Sequence, residues 1–469
     1  MPRKPINRVL GWLVASLCLA GLVSPARAQS LRQPESIRVS YETEPRVAAR
    51  WMPRETPPLP DHSPPAEEVP AGNAAVAGYT LAELESFALA NNPAVLQAAA
   101  RVQAAEGRAL QAGLYPNPVA GYKADEMGDD GAAGKQGAFV RQEIVTAHKL
   151  RYGQSAAGHA VTAAQHAAAA QQQRVLGDVR RLFLEALAAQ RLQELNRELV
   201  RVGEEGMRAT TELLRAKEVS RVDQLEAQIE ADAARLRLRQ ADERYRAAWR
   251  QLVAVIGMTD LQPGPLQGSL EEQVPELDWD TSLQRLMAES PQLAQAQAAV
   301  AQARCALARE QAGRIGNLEF EVSAAHDNAT GDNIAGVQVG MPLPVFDRNQ
   351  GNICRAVADL RAAQCEVERI ALELRERLAG AFERYTNARH EAEQYRTSIL
   401  PNARTSLNLV RAGYTQGELG YLALLTAQRT YFQANLTYLE ALRQLRTSQA
   451  EIESLLLQGG LEGRPVSGD

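Results

Sequence analysis

The side chains best able to hold a metal are His62, His148, His159, His166, His326 and His390, and they are scattered along the chain. His159 and His166 stand two helical turns apart, a spacing that a solvated helix face explains. Cys305, Cys354 and Cys365 match no zinc spacing, and an odd number in an oxidising compartment leaves at least one free thiol. Cys354 and Cys365 fall about three turns apart on one helix, too far to bond, which leaves Cys305 with Cys354 as the pairing to consider. The other reading is three small, buried apolar side chains. Without a Met cluster or paired Cys, no resident metal or cofactor is expected, and no enzyme site is found. The carboxylates are more telling. Asp125, Glu126, Asp129 and Asp130 load one Gly-rich loop, where solvated acids attract cations weakly. Asp223 and Glu226, with Tyr414, flank two turns that align at an offset of 200 residues.

Stepping along the chain, Arg3, Lys4 and Arg8, an apolar run from Val9 to Val23, and Ala26-Arg27-Ala28 make residues 1–28 a secretory signal peptide. Leu17 stands before Cys18 where lipidation needs a small residue, so no lipid anchor is expected. Four positive charges leave with the peptide (Arg3, Lys4, Arg8 and Arg27), taking the formal charge from −5 to −9. Such an acidic chain disfavours nucleic acid as a partner. No later segment is long and apolar enough for a transmembrane helix, so any crossing of a membrane must use strands.

Residues 29–78 are polar and Pro-rich and read as an extended tether. Two repeats follow, at 79–260 and 277–458, joined by a linker at 261–276 and followed by a polar tail at 459–469. The first repeat opens on Thr80 and Glu83, a capping box for a short helix that Asn92-Pro93 ends. Ser290-Pro291 repeats this break 198 residues later. Each Ala-rich helix that follows ends in Gly, at Gly113 and Gly313, and leads into a strand hairpin. In the second hairpin Leu318 to Ala324 alternates strictly, a loop runs from His326 to Asn333, and Ile334 to Met341 returns. Pro342 and Pro344 then end the pairing, and Asp347 and Asn349 offer N-cap oxygens to a very long helix. The first repeat shows the same junction near Ala138 to Leu150, with Thr146 as the cap.

The long tracts, about 146–215 and 350–411, are near 100 Å each at about 1.5 Å per residue. Pro401 is expected to kink the second. Their turns are Arg215-Ala216-Lys217-Glu218-Val219-Ser220 and Gln416-Gly417-Glu418-Leu419-Gly420. On the last helix Leu425, Phe432, Leu436, Leu439, Leu442, Leu445, Ile452 and Leu456 keep the narrow apolar stripe of a coiled-coil seam. Four strands per chain leave two unpaired edges in lipid, so closure requires several copies; strand count alone leaves the number open.

Signal peptide, tandem copies of helix, hairpin and long helical pair, and matching turns together resemble the outer-membrane efflux protein family typified by TolC. Pro342-Leu343-Pro344-Val345-Phe346-Asp347-Arg348-Asn349-Gln350-Gly351, and Gln142-Glu143-Ile144 followed by Lys149-Leu150-Arg151, are similar to its heavy-metal efflux, CzcC-like branch. His148 stands where that branch more often has Gly. The resemblance implies an α+β membrane protein: a homotrimer whose twelve-stranded outer-membrane barrel continues into a periplasmic helical coiled-coil barrel. It also implies a periplasmic adaptor (membrane fusion) protein meeting the turns and an inner-membrane resistance-nodulation-division pump. In such channels an acid matching Asp223 pairs with a tyrosine matching Tyr414 in the closed state. Ala423 and Thr426 replace the second-repeat acids of the constriction ring, so a carboxylate ring here must come from Asp223 or Glu226. Ser220 to Asp223 is equally a capping box, and gate and cap both remain open. Two other functions stand beside the metal channel: a multidrug or protein-secretion duct of the same family, and a periplasmic coiled-coil scaffold or adaptor. The paired alternating strands, inserted at the same place in both repeats, argue against the scaffold.

Overall fold

The computed structural model describes residues 78–128, 133–272 and 276–461. The signal peptide, the tether up to residue 77, His62, Asp129, Asp130 and residues 462–469 of the tail lie outside the described residues. In chain order the elements are α1 (Leu81–Asn91), α2 (Pro93–Ala112), β1 (Val119–Asp125), β2 (Lys135–Ile144), α3 (Lys149–Arg215) and α4 (Arg221–Ile256). The second set is α5 (Trp279–Glu289), α6 (Pro291–Ala312), β3 (Leu318–Asp327), β4 (Asn333–Gly340), α7 (Gln350–Gln394), α8 (Leu400–Thr415) and α9 (Tyr421–Glu453).

The helix starts follow local chemistry. Thr80 and Glu83 form the expected capping box at α1. Asn92 then stops α1 and starts α2: its Oδ1 accepts the Ala94 N–H at 2.8 Å while Pro93 needs no donor partner. Its Nδ2 donates to the Val255 carbonyl at 2.6 Å, so one buried side chain serves a helix start and the end of α4. Ser290 caps α6 through the Leu293 N–H at 3.5 Å, and Pro291 again opens the helix.

The four strands form one antiparallel sheet in the order β1-β2-β3-β4. β3 runs to Asp327, so His326 and Asp327 belong to the strand rather than to the loop expected there; His326 pairs with Gln136 on one side and Asn333 on the other. The register sets which side chains share a face, one mainly apolar apart from Gln142 and the hairpin end, the other mainly charged. One face carries Ala120, Tyr122, Ala124, Ala138, Val140, Ile144, Leu318, Phe320, Val322, Ala324, Ala335, Val337 and Val339. At the hairpin end that face turns polar, where Tyr122 donates to Gln136 (2.9 Å) and His326 Nδ1 lies 3.1 Å from Asn333 Oδ1. The opposite face carries Lys123, Asp125, Lys135, Arg141, Glu143, Glu319, Glu321, Asp327 and Gln338 together with the apolar Val119, Phe139 and Ile334, and Arg141 and Glu321 pair across strands at 2.7 Å. The apolar face is exposed on the single chain, and β1 and β4 each have one edge without a partner strand in it.

Below the sheet, α3 packs along α4 and also against α2 and α6, while α7 packs on α6 and α9. The seams are built largely of small residues, among them Ala170, Ala186, Ala231, Ala234 and Ala381, which lets helix axes come close. Leu425, Phe432, Leu442 and Ile452 of the α9 stripe are buried, and Leu436, Leu439 and Leu445 half-buried. Leu456 is buried too, but past the end of α9 and with φ 59°. Two larger cores sit midway, one around Leu84, Phe183, Trp249 and Ile256 and one around Leu286, Leu374, Leu378 and Leu457. The inter-repeat linker is tied against them: Tyr79 N–H donates to the Pro265 carbonyl (2.9 Å), Trp249 Nε1 to that of Leu261 (3.1 Å) and Arg446 Nε to that of Leu270 (2.9 Å). The disruption at Pro401 is one π-turn, Tyr395–Ile399, in which the Leu400 N–H reaches back five residues to Tyr395. The extra residue absorbs the donor that proline lacks. Cys305, Cys354 and Cys365 are all free thiols; Cys305 is half-buried and the other two are exposed, so neither the disulfide nor a buried trio forms.

Replacing Asn92 with Ala would leave the Val255 carbonyl buried without its donor and α2 uncapped, a loss of about 1–3 kcal/mol. Thermal unfolding of the purified protein should show a lower midpoint for Asn92→Ala; an unchanged midpoint would mean that the two ends do not depend on this side chain.

Candidate functional site

Two regions hold the residues singled out by sequence: the strand-to-helix junctions and the turns at the far end of the helices. At the junctions, the expected side-chain caps are not what starts the long helices. His148 (φ 58°) precedes α3 and Asn349 (φ 59°) precedes α7, both left-handed and neither capping through its side chain. A glycine would adopt that conformation without cost, whereas His148 and Asn349 adopt it with a Cβ in place. Thr146 instead donates its hydroxyl to the Gly316 carbonyl at 2.6 Å. Asp347 Oδ1 accepts the Asn349 N–H at 2.8 Å, and Asn349 Nδ2 donates at 2.8 Å to both the carbonyl and the carboxylate of Glu310. Thr146 and Asn349, which could have closed the helices locally, bind across to the neighbouring repeat or helix, and Asp347 alone bonds within its own segment. Pro342 packs on Gly316, where an added Cβ would meet the proline carbonyl at 2.7 Å. Pro344 sits inside a tight turn closed by the Val345 N–H and the Leu343 carbonyl at 2.9 Å.

Asn317 is the residue that sequence reading missed here. Its Oδ1 accepts from Lys149 Nζ at 2.5 Å and from the Thr146 N–H at 3.4 Å, while its Nδ2 donates to Glu143 at 2.5 Å. It thereby locks the base of β3 to the exit of β2. Its only signal in the sequence was an Asn between a helix-ending Gly and a strand.

At the turns, both long helices stop in the same way. Glu218 N–H returns to the Leu213 carbonyl and Lys217 N–H to that of Leu214; in the second repeat Glu418 returns to Gly413 and Gly417 to Tyr414. This is a Schellman closure, with Lys217 (φ 65°) and Gly417 (φ 75°) left-handed. Gly417 adopts this freely, whereas Lys217 is strained. Leu419 folds back on Gly413, where a Cβ would lie 2.9 Å from its Cδ1. The returning helices differ. Ser220 and Asp223 form a full capping box at α4: Asp223 Oδ2 accepts from Ser220 Oγ (2.7 Å) and N–H (2.9 Å), and Asp223 N–H donates to Ser220 Oγ (3.2 Å). Gly420 gives α9 no side-chain cap.

The capping bonds hold the Asp223 carboxyl below the usual carboxylate range. Tyr414 lies close enough for that charge, after burial, to raise its phenol. The Tyr414 hydroxyl is buried with no hydrogen-bond partner among the described residues. Its ring stands edge-on to that of Tyr421 at 6.2 Å, in a cluster with Met207, Ala227 and Leu425; burial pushes the Tyr421 phenol up to about 12. Glu226 is half-buried one turn on. A further turn along the same side, buried Glu230 accepts from Arg429 Nη2 at 2.6 Å and Nε at 3.1 Å, and from Arg237 at 3.4 Å. This bridge ties α4 to α9 and was missed in the sequence, although Glu226 and Glu230 share a helical face. Among the described residues no three His, Cys, Asp or Glu side chains converge to hold a metal, and no helix is long and apolar enough to cross a membrane.

Comparison with known proteins gives this geometry a family. The model for "Outer membrane efflux protein" matches residues 84–258 and again 282–456, the two repeats in turn. The cobalt-zinc-cadmium resistance protein CzcC of Cupriavidus metallidurans is 28% identical over 381 residues, 80% of this chain and 90% of that protein. Among solved structures, a membrane protein from Pseudomonas aeruginosa superposes with TM-score 0.69 at 18% identity, covering 80% of this chain and 92% of the other. CusC, described in connection with transmembrane channel formation, gives 0.67 at 17% identity, covering 82% and 93%. The paired hairpins, the apolar sheet face and the doubled helical framework are therefore those of an outer-membrane channel, and the chain belongs to the outer membrane efflux protein family.

Proposed function

We propose that three copies close their sheets into a twelve-stranded barrel, and that the trimer is the outer-membrane exit of a tripartite efflux system expelling heavy-metal cations such as cobalt, zinc, cadmium, copper or silver. Conduction is passive; an inner-membrane resistance-nodulation-division pump and a periplasmic adaptor supply energy and cargo. The likeness to CzcC, named for cobalt-zinc-cadmium resistance and matched over 90% of its length, carries the metal reading. The polar sheet face supports it. Asp125, Glu143, Glu319, Glu321 and Asp327 outnumber Lys123, Lys135 and Arg141 there, so a lumen lined by this face attracts cations.

The turns Arg215 to Ser220 and Gln416 to Gly420 are the adaptor-docking surface in this reading, since they end both long helices at the pole opposite the sheet. Deleting the gene should lower survival in one or more of these metals, and a copy with Glu218→Lys and Glu418→Lys should fail to restore it while still assembling. Unchanged metal survival with new sensitivity to lipophilic drugs would replace the metal reading with a drug duct; full rescue by the double variant would remove the docking role.

Asp223, Glu226 and Tyr414 form the gate at that end. Cap and gate are compatible, because the capping bonds arrive at Oδ2 and leave Oδ1 for the unpartnered Tyr414 hydroxyl. Tyr414→Phe should raise single-channel conductance in planar bilayers without loss of thermal stability, whereas Asp223→Ala should lower stability as well. Equal conductance for Tyr414→Phe and the parent would leave Asp223 as a cap alone. The folded Asp223 carboxyl titrates below its unfolded value, so the cap is fully present at neutral pH and lost only as pH falls through that depressed value. Mild acidification should therefore not open the channel through Asp223.

A further inference from the structure

We infer that the segment from Met341 to Phe346 is a membrane anchor, seated at the boundary between acyl chains and headgroups in the periplasmic leaflet of the outer membrane. The apolar face of the sheet does not stop where β4 stops. Val337 and Val339 point to that face by register, and Met341 and Leu343 keep the alternation while Pro342 turns inward onto Gly316. After the tight turn at Pro344, Val345 and Phe346 extend the strip. On the single chain the strip is bare: Leu343 is 74% exposed, Val345 60% and Phe346 92%. A phenylalanine so placed in water gains nothing from burial, and the unbroken apolar exposure from Leu343 through Pro344 and Val345 to Phe346 needs a partner.

The loop is also rigidly mounted. Asp347 accepts the Asn349 N–H, and Asn349 is bound twice to Glu310 of α6, so the strip is displayed from a fixed base. Arg348, exposed two residues beyond Phe346, stands where a phosphate headgroup would lie. The first repeat has nothing equivalent: Val145, Thr146 and Ala147 at its junction are half-buried, and Thr146 is tied to Gly316. The strip follows directly on β4, and its continuity with the apolar sheet face, rather than with the β4 edge where another copy pairs, names lipid as its occupant.

The inference rests on the outer-membrane placement of the sheet, and two tryptophan reporters separate the two claims. Val337→Trp and Phe346→Trp proteins would be reconstituted in phosphatidylcholine vesicles with and without brominated acyl chains. Added emission from both positions should be quenched by the brominated lipid, while buried Trp249 changes little. Quenching at 337 with none at 346 would mean that a second copy covers the loop, and would overturn the anchor alone. Absence of quenching at both would overturn the anchor together with the membrane placement beneath it.

Discussion

An unpaired backbone N–H or C=O in hydrocarbon costs several kcal/mol, and this chain offers a row of each on β1 and on β4. Everything else in the molecule can be ordered around that constraint. The sheet is apolar on one face and charged on the other, so it can neither be buried as a core nor exposed as a surface. It is complete only when the edges of several copies meet, which makes the single chain a part of a wall. The junctions at the base of the sheet are accordingly stiff. Asn317 joins β2, β3 and the start of α3, and Asn349 joins the start of α7 to α6. These bonds fix the angle at which strands enter helices, which is the angle at which a barrel continues into a helical tube.

The two turns at the far end are closed alike but start their returning helices differently. The first turn is stabilised by a capping box, whereas the second has an uncapped helix start, a glycine turn and a buried hydroxyl without a partner. The π-turn at Tyr395–Ile399 lies on the same helical tract as that second turn. The Glu230–Arg429 pair joins α4 to α9 between these two features, beside the packing of Ala227 on Tyr421 and Leu425.

What could be read from the sequence was what local chemistry decides. The doubling was visible because the breaks at Asn92-Pro93 and Ser290-Pro291, and the turns at Glu218 and Glu418, are short-range signals repeated at one spacing. The capping boxes at Thr80 and Ser220 formed as read, and the strict alternation in Leu318 to Ala324 placed a strand. The failures share one cause. Thr146 and Asn349 had the right chemistry to cap a helix, but their hydrogen bonds go to Gly316 and Glu310, partners far away in sequence. Asn317 and the Glu230–Arg429 bridge were invisible for the same reason, since 199 residues separate the two ends of that bridge. The left-handed turn at Gly417 was legible from its residue type, and the same conformation at Lys217, His148 and Asn349 was not. At Lys217 the local Schellman closure takes a left-handed residue whatever its type, and His and Asn enter that region more readily than most residues.

Without closure by copies, the apolar sheet face stays in water and the two bare edges keep their unpaired backbone groups. Native mass measurement of the mature protein, extracted from outer membranes in mild detergent, tests closure most directly. A complex of three chains that survives dilution is the predicted result; a stable monomer, or recovery with the soluble periplasmic proteins, would contradict it.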